Sequence, residues 1–241
     1  TDEEAIRIAN DSRYGLYGGI HSRDPAKAYE MALQLRTGGV VINGGLYRQN
    51  DAPFGGYKRS GLDERVTLAD LDWRFNPKIP RAACFELHTL KFITQGANAL
   101  IVGKPGTGKS HVAKALAYQA TLQGYDVRYL EADTEFARYA LAPSQDRANM
   151  LREWVKPDLL IVDDLFLARR ITAEAAEVLQ AIVHQRYKLR RAIVITSNRV
   201  VQDWGKYLGD VTMASTILDR LMHRCVMLEF EGKSYRLKEA A

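Results

Sequence analysis

Residues 103–110 of this chain read GKPGTGKS and match the pattern GxxxxGK[ST] at every fixed position. The apolar run 98–102 (NALIV) before the motif predicts a short buried strand, and the three- and four-residue spacing of apolar side chains in 111–123 predicts a helix. A glycine-rich loop between a strand and a helix presents backbone N–H groups and a positive helix end to an anion. The stretch therefore predicts a phosphate-binding loop.

The polar side chains of this loop fit a nucleoside triphosphate. Lys109 can reach the β- and γ-phosphates, and the Ser110 hydroxyl can ligate Mg²⁺. The alternative is a glycine-rich turn that only caps the following helix. The predicted nucleotide-binding residues are Gly103, Lys104, Pro105, Gly106, Thr107, Gly108, Lys109 and Ser110, and Ser110 is also a predicted metal ligand.

A second predicted strand, DLLIVDD at residues 158–164, ends in two carboxylates. We assign Asp163 to the metal side of the site. Asp164 stands where many ATPases with a phosphate loop of this kind have a Glu that polarises the attacking water. The Asp side chain is one methylene shorter and reaches less far. The alternative is that both residues are exposed acids that cap the strand.

A third apolar run, residues 192–195, is followed by Thr196, Ser197 and Asn198. An amide at the tip of this strand could hold the attacking water or the γ-phosphate, so Asn198 is a candidate catalytic residue beside Asp164. A turn-forming Asn is the alternative.

Composition favours a soluble, cytoplasmic protein with no membrane partner. The 241 residues are 46% hydrophobic, and no run approaches the eighteen apolar residues of a membrane span. No basic region followed by an apolar core, as in a secretory signal, is present at the N-terminus. Cys84 and Cys225 lie far apart without metal-ligand spacing, so we expect reduced thiols.

The charge is unevenly distributed along the chain. Residues 1–65 are neutral overall, so the net charge of +5 belongs to residues 66–241. Arg186, Lys188, Arg190 and Arg191 surround Tyr187 at the end of a long helical pattern, which is typical of nucleic-acid binding. The alternative is that these cations only stabilise the carboxyl end of the helix.

The first part of the chain contains four stretches that together match one known family in the same order. They are DEEAIRIANDSRYGL at 2–16, HSRDPAKA at 21–28, GGVVIN at 38–43 and APFGGYKRSG at 52–61. With them, residues 1–64 resemble the C-terminal part of the aldehyde dehydrogenase catalytic domain. That family's nucleophilic Cys, general-base Glu and dinucleotide-binding domain all precede this segment, so the resemblance implies a fragment without dehydrogenase activity. The segment itself predicts helices over 3–10 and 25–37 and strands over 18–21 and 40–43.

The second part resembles another family over essentially its whole length. The stretches that carry this resemblance, besides the phosphate loop, are LDWRFNPKIPRA at 71–82, LLIVDDLFLARR at 159–170, ITSNRVVQDWGKYLGD at 195–210, TILDRLMHRC at 216–225 and GKSYRLKE at 232–239. Residues 67–241 thereby resemble the IstB-like helper ATPases of bacterial insertion sequences, which are related to the helicase loader DnaC and belong to the AAA+ class.

This second resemblance implies an α/β fold with a parallel sheet flanked by helices, binding of ATP and Mg²⁺, assembly of several copies on DNA, and cooperation with a transposase. It also implies that Arg220 reaches the γ-phosphate of a neighbouring subunit. A salt bridge to Asp219 is the alternative for Arg220, and a solvated cation is favoured over a nucleotide sensor for Arg236. The dehydrogenase-like segment replaces the family's helical N-terminal portion, so a chimeric relic that binds ATP without helper activity is the alternative function.

Overall fold

The computed structural model describes residues 1–11, 14–15, 17–37, 39–43, 57–58, 66–167 and 171–239. Most of the dehydrogenase-like stretch 52–61, including Gly55, Gly56 and Gly61, lies outside them. The elements of the first part are α1 (Asp2–Asn10), β1 (Tyr14–Gly15), β2 (Tyr17–Ile20), α2 (Pro25–Ala32), β3 (Gly39–Ile42) and β4 (Tyr57–Lys58). β2 and β3 form a two-stranded parallel sheet, and β1 pairs with β4 in a second, antiparallel one.

The predicted helix over residues 25–37 ends earlier than the sequence indicates, at Ala32. The amides of Gln34 and Leu35 bond to the carbonyls of Met31 and Ala32, three residues back, at 3.1 and 3.2 Å. This tighter pattern is a common way for a helix to satisfy its last carbonyl groups, and it ends the regular helix.

The second part is built on a five-stranded parallel sheet, in the order β6-β7-β8-β5-β9. Its strands are β5 (Asn98–Gly103), β6 (Val127–Glu131), β7 (Leu159–Leu165), β8 (Ala192–Ser197) and β9 (Cys225–Phe230). The central strands are apolar on both faces because helices cover both sides, as expected for parallel sheets. The predicted α/β fold is therefore confirmed.

Helices cover the sheet on both faces. The helices of the second part are α3 (Arg81–His88), α4 (Lys91–Thr94), α5 (Lys109–Leu122), α6 (Ala132–Leu141), α7 (Ser144–Val155), α8 (Ala173–Leu189), α9 (Trp204–Leu208), α10 (Val211–Met222) and α11 (Tyr235–Glu239). Successive residues of β5 enter different cores: Leu100 packs in the cluster with α8 and α10, and Ile101 packs in the cluster with α3 and α5. The sheet thus separates two apolar layers.

The order of the strands places the predicted site residues at one edge of the sheet. β5 and β7 both flank β8, and the carboxyl ends of parallel strands meet on the same side. The phosphate loop begins at the last residue of β5, Asp163 and Asp164 lie near the carboxyl end of β7, and Asn198 follows β8. The fold therefore brings three separate stretches of sequence together.

Arg186 is not part of an exposed cluster, contrary to the sequence-based expectation; its side chain is 0% exposed. Burial lowers the pKa of its guanidinium to about 9. The ends of a helix leave carbonyl groups without partners, and Arg186 supplies donors to the end of α7 and to the strands beside it. Its acceptors are the carbonyl oxygens of Trp154, Val155, Pro157, Asp158 and Ala192, at 2.7 to 3.1 Å.

Two further sequence-based expectations concern thiols and membranes. Cys84 and Cys225 are both free, and burial raises the pKa of the Cys84 thiol to about 12 and that of Cys225 to about 11. Among the described residues, no helix has the length and apolar character needed to cross a membrane.

Candidate nucleotide-binding site

Two glycines of the loop have backbone conformations and surroundings that exclude a side chain. Gly103 has φ of 149° and Gly106 has φ of 72°. A Cβ at Gly103 would collide with the carbonyl oxygen of Phe230, and one at Gly106 would collide with the side chain of Ser234. These glycines therefore allow the loop to curl tightly beside β9 and the segment that follows it.

Lys109 opens α5 and is only 4% exposed. Its Nζ donates to the carbonyl oxygen of Lys104 at 2.8 Å, and the Thr107 hydroxyl donates to the same oxygen at 2.8 Å. Burial lowers the pKa of the Lys109 ammonium, and the carboxylates of Asp164 and Asp163 act in the opposite direction. A buried cation held by a neutral carbonyl is well suited to bind an anionic phosphate group.

Asp163 is 4% exposed and is held by hydroxyl groups from both neighbouring strands. Thr196 Oγ1 donates to Asp163 Oδ1 at 2.5 Å, and the Tyr129 hydroxyl donates to Asp163 Oδ2 at 2.5 Å. Thr196 Oγ1 also accepts a bond from the backbone N of Asp164 at 2.8 Å. Thr196 thus fixes both acidic residues at the end of β7, a role that sequence reasoning missed.

Asp164 has a left-handed backbone conformation, with φ of 53°, where the pairing of β7 with β8 is shifted between Val162 and Leu165. Its side chain lines the cavity beside Lys109. Burial raises the pKa of the Asp164 carboxyl, and the charge of Asp163 adds to this rise, whereas Lys109 opposes it. A carboxyl group shifted in this direction is a better proton acceptor near neutral pH than an ordinary Asp.

The loop, Asp164 and Asn198 surround one cavity of about 420 Å³, a size typical of small-molecule sites. Asn198 lines this cavity, and its Oδ1 is buried without a hydrogen-bond partner among the described residues. Asp163 is not among the lining residues, although its charge acts on Lys109, which lines the cavity. The lining residues among the predicted ones are Pro105, Gly106, Gly108, Lys109, Ser110, Asp164 and Asn198, whereas Gly103, Lys104 and Thr107 shape the loop.

The segment after β9 folds over the phosphate loop. The backbone N of Tyr235 donates to the carbonyl oxygen of Gly106 at 2.8 Å. Asn76 anchors the same segment through two bonds to the backbone of Lys233, of 2.9 and 2.8 Å. Arg236 is exposed, as expected, yet it also lines the cavity, and its charge lowers the pKa of Asp164. The sequence-based preference for a merely solvated Arg236 is therefore incomplete.

Arg220 lies apart from the other candidate residues. Its Nε donates to His184 Nδ1 at 3.1 Å and its Nη1 donates to the carbonyl oxygen of Thr216 at 2.8 Å. The described residues include Asp219, and no ion pair joins it to Arg220. Arg220 instead lines a second cavity of about 260 Å³, the basic cavity, together with Lys188, Arg190, Arg191, His223, Arg224 and Asn98.

The basic cavity lies at the opposite end of the sheet from the nucleotide cavity. Asn98 begins β5 and Gly103 ends it, so the two cavities are separated by a strand length of about 17 Å. Arg220 therefore cannot reach phosphates bound at the loop of its own subunit.

The donor set fits Mg²⁺ held together with a nucleotide. Within the described part of the chain, no group of three or more His, Cys, Asp or Glu side chains could hold a metal by itself. Mg²⁺ commonly uses one or two protein ligands, waters and the phosphates of a bound nucleotide. Ser110 at the start of α5 and Asp163 at the end of β7 are the side chains that would provide the protein's share.

Comparison with known proteins agrees with this geometry. The profile of the family described as "IstB-like ATP binding protein" matches residues 31–241. A protein named for ATP binding in insertion sequence IS5376 of Geobacillus stearothermophilus is 32% identical over 183 residues, which are 76% of this chain and 72% of the relative. Its counterpart in insertion sequence IS21 of Pseudomonas aeruginosa is 34% identical over 183 residues, which are 76% of this chain and 68% of that relative.

A second kind of relative is a dehydrogenase. Lactaldehyde dehydrogenase of Methanococcus vannielii is 50% identical over 62 residues, which are 25% of this chain and 13% of the enzyme. The chain therefore carries, beside its ATP-binding part, a short stretch similar to a small portion of that enzyme.

Solved structures share the fold of the second part. A crystal structure of DnaI has a TM-score of 0.58 at 20% identity and covers 70% of this chain and 90% of its own. DnaA from Aquifex aeolicus, with AMPPCP bound, has a TM-score of 0.54 at 25% identity, with 72% and 53% covered. The phosphate loop, the parallel sheet and the family match lead to one conclusion: the chain belongs to the IstB-like ATP-binding proteins and has the AAA+ P-loop fold.

Proposed function

We propose that this protein is a Mg²⁺-dependent ATPase of the cytoplasm that assembles on DNA and assists the transposase of an insertion sequence. The observation that carries the proposal is the single cavity in which the phosphate loop, Asp164 and Asn198 meet. The relatives are named as ATP-binding proteins of insertion sequences, which supports a role of this protein in transposition.

The side chains around the cavity would divide the work of hydrolysis. Lys109 binds the terminal phosphates, and Ser110 and Asp163 hold Mg²⁺, which neutralises phosphate charge when bound. Asp164 accepts a proton from the attacking water, and its raised pKa favours this role. Asn198 orients the water through its amide, a role supported by its place beside Asp164 in the lining of the cavity.

Arg220 would complete the site of a neighbouring subunit. Its position in the basic cavity, at the far end of β5 from its own loop, requires that any phosphate it meets comes from elsewhere. Copies arranged head to tail would bring the basic cavity of one subunit to the nucleotide cavity of the next. This geometry supports a homo-oligomer as the active form.

DNA binding would be electrostatic and largely independent of sequence. The net charge of +5 lies in residues 66–241, and no base-reading motif is present in the sequence. Lys188, Arg190 and Arg191, the predicted DNA contacts, share the basic cavity with Arg220. A DNA contact by these three cations therefore competes for space with a subunit contact.

A chimeric relic that binds ATP but lacks helper activity is the second candidate function. The observation in its favour is the 50% identity to a lactaldehyde dehydrogenase over 62 residues. Residues 1–64 would then be a dehydrogenase-derived fragment without catalytic capacity, and residues 67–241 would be the ATP-binding domain. Both candidates bind ATP, so hydrolysis stimulated by DNA distinguishes them.

The Lys109→Ala variant tests the proposed function. Removing the ammonium that meets the terminal phosphates should weaken ATP binding by roughly 10- to 100-fold, since charge-assisted bonds contribute about 1.5 to 3 kcal/mol. Nucleotide titration measures the affinity, and phosphate release with and without DNA measures the turnover. DNA should stimulate ATP hydrolysis by the parental protein but not by the variant.

Two results would contradict these expectations. If the variant binds ATP within about twofold of the parental protein, the assignment of the phosphate loop is wrong. If the parental protein hydrolyses ATP only at background rate with DNA present, the chimeric relic is favoured.

Deleting residues 1–64 should leave ATP affinity nearly unchanged, because every described residue that lines the nucleotide cavity lies after that segment. Aggregation should decrease, since a two-stranded sheet such as β2-β3 leaves strand edges that can pair with other chains. Nucleotide titration and light scattering of the two proteins provide the comparison. Loss of ATP binding in the shortened protein would show that the two parts fold as one unit.

A further inference from the structure

The hydroxyl of Tyr129 reaches the acidic end of the neighbouring strand. In the pairing of β6 with β7, Glu131 lies opposite Asp163, and Tyr129 is two residues earlier on the same strand. Residues two apart on a strand share a face, and diagonal neighbours are within reach of an aromatic side chain. The register of the sheet thus accounts for the bond of 2.5 Å between the Tyr129 hydroxyl and Asp163 Oδ2.

Packing alone does not require this hydroxyl. The ring of Tyr129 packs against the apolar cluster between the sheet and α5, as do the rings of Tyr118 and Tyr125. A Phe would fill the same space, whereas a phenol in such a setting needs a hydrogen-bond partner. Among the described residues, that partner is the carboxylate of Asp163. The hydroxyl is therefore the part of Tyr129 that points to a function.

Asp163 is held from two sides at once. Tyr129 on β6 donates to one carboxylate oxygen and Thr196 on β8 donates to the other. An ionised carboxylate has about four acceptor positions, so two donors leave it able to accept further bonds. Two fixed donors from two strands set both the rotation and the direction of the carboxylate.

We propose that Tyr129 is a positioning residue for the Mg²⁺ site, acting through the carboxylate of Asp163. This inference rests on the proposed function, in which Asp163 is the metal-side carboxylate. Hydrogen bonds that orient a metal-binding carboxylate commonly change metal affinity by 10- to 100-fold when they are removed. Tyr129 is not among the residues that line the nucleotide cavity, so we expect its effect to be confined to the metal.

The test compares the Tyr129→Phe and Tyr125→Phe variants. Each loses one phenol hydroxyl beside the same apolar cluster, but Tyr125 does not bond to Asp163 through its hydroxyl. Mn²⁺ replaces Mg²⁺, and the electron paramagnetic resonance signal of free Mn²⁺ measures metal affinity in the presence of a non-hydrolysable ATP analogue. We expect Tyr129→Phe to weaken Mn²⁺ binding by roughly 10-fold or more. Affinity for the analogue in EDTA should stay within about twofold for both variants, and Tyr125→Phe should bind Mn²⁺ like the parental protein.

An Asp163→Asn variant separates failure of this inference from failure of the proposed function. If Asp163→Asn binds Mn²⁺ normally, the metal site itself is wrongly assigned. If Asp163→Asn loses Mn²⁺ while Tyr129→Phe keeps it, only the positioning role is overturned. A Tyr129→Phe variant that fails to bind the analogue in EDTA, or that unfolds, would show that the hydroxyl is structural, which also overturns the proposal. Thr196→Ser keeps the opposing hydroxyl and should retain Mn²⁺ affinity.

Discussion

The Arg220→Ala variant should bind ATP within about twofold of the parental protein and hydrolyse it about 10³- to 10⁵-fold more slowly, the usual range for an Arg that stabilises a transferring phosphoryl group. Ground-state affinity should survive because Arg220 lines the basic cavity and not the nucleotide cavity of its own subunit. Nucleotide titration and phosphate release by the assembled protein measure the two quantities.

Mixing Arg220→Ala with Lys109→Ala shows whether Arg220 acts between subunits. The first variant retains an intact nucleotide cavity and the second retains Arg220, so mixed assemblies contain some complete sites. Turnover should therefore recover in the mixture. If the two variants assemble together and stay inactive, Arg220 does not act between subunits and has a structural role instead. Lys188→Ala is the matched control, since it removes another cation from the basic cavity and should leave DNA-free turnover near the parental rate.

The Arg186→Met variant should lose at least about 3 kcal/mol of the free energy of unfolding. Met fills much of the same volume, but it leaves five carbonyl groups at the end of α7 and on the adjacent strands without their donor. Each unsatisfied buried carbonyl costs roughly 1 to 3 kcal/mol, and these costs do not add fully. Urea unfolding followed by circular dichroism measures the change.

Lys188→Met is the control for this prediction because Lys188 lies two positions beyond Arg186 on the same helix and is exposed. Its free energy of unfolding should change by about 0.5 kcal/mol or less. Arg186→Lys should fall between the two, since an ammonium has three donors and cannot span the carbonyls that a guanidinium reaches. Equal stability of Arg186→Met and Lys188→Met would contradict the structural role of Arg186.

The fold and the centre of the site could be predicted from the sequence because their signals are local. A strand, a glycine-rich loop and a helix follow one another within residues 98–123, and β7 carries its two carboxylates at its own end. Parallel strands then force these ends to the same edge of the sheet. The fold could therefore be predicted from the sequence. The structure places Lys109, Asp164 and Asn198 around one cavity, and their chemical roles stay predictions.

The errors and the omissions of the sequence analysis concern contacts between residues distant in sequence. Arg186 and Lys188 read alike as cations near a helix end, and only the packing of α7 against α8 shows that Arg186 is buried. Tyr129 and Asp163 are 34 positions apart, so strand register alone brings them together. Arg236 reaches the cavity because Asn76, 157 positions from Lys233, anchors the segment before it. No pattern of spacing within one stretch signals such contacts.

The left-handed backbone at Asp164 also determines which acid can stand there. Asp and Asn adopt this conformation more readily than longer side chains, because their short polar groups can bond locally. A Glu at this position would gain reach toward the water and lose backbone compatibility. The Asp at position 164, where many ATPases with such a loop have a Glu, therefore suits the left-handed backbone there. We expect a longer acid at this position to require a change in the shifted pairing of β7 with β8 as well.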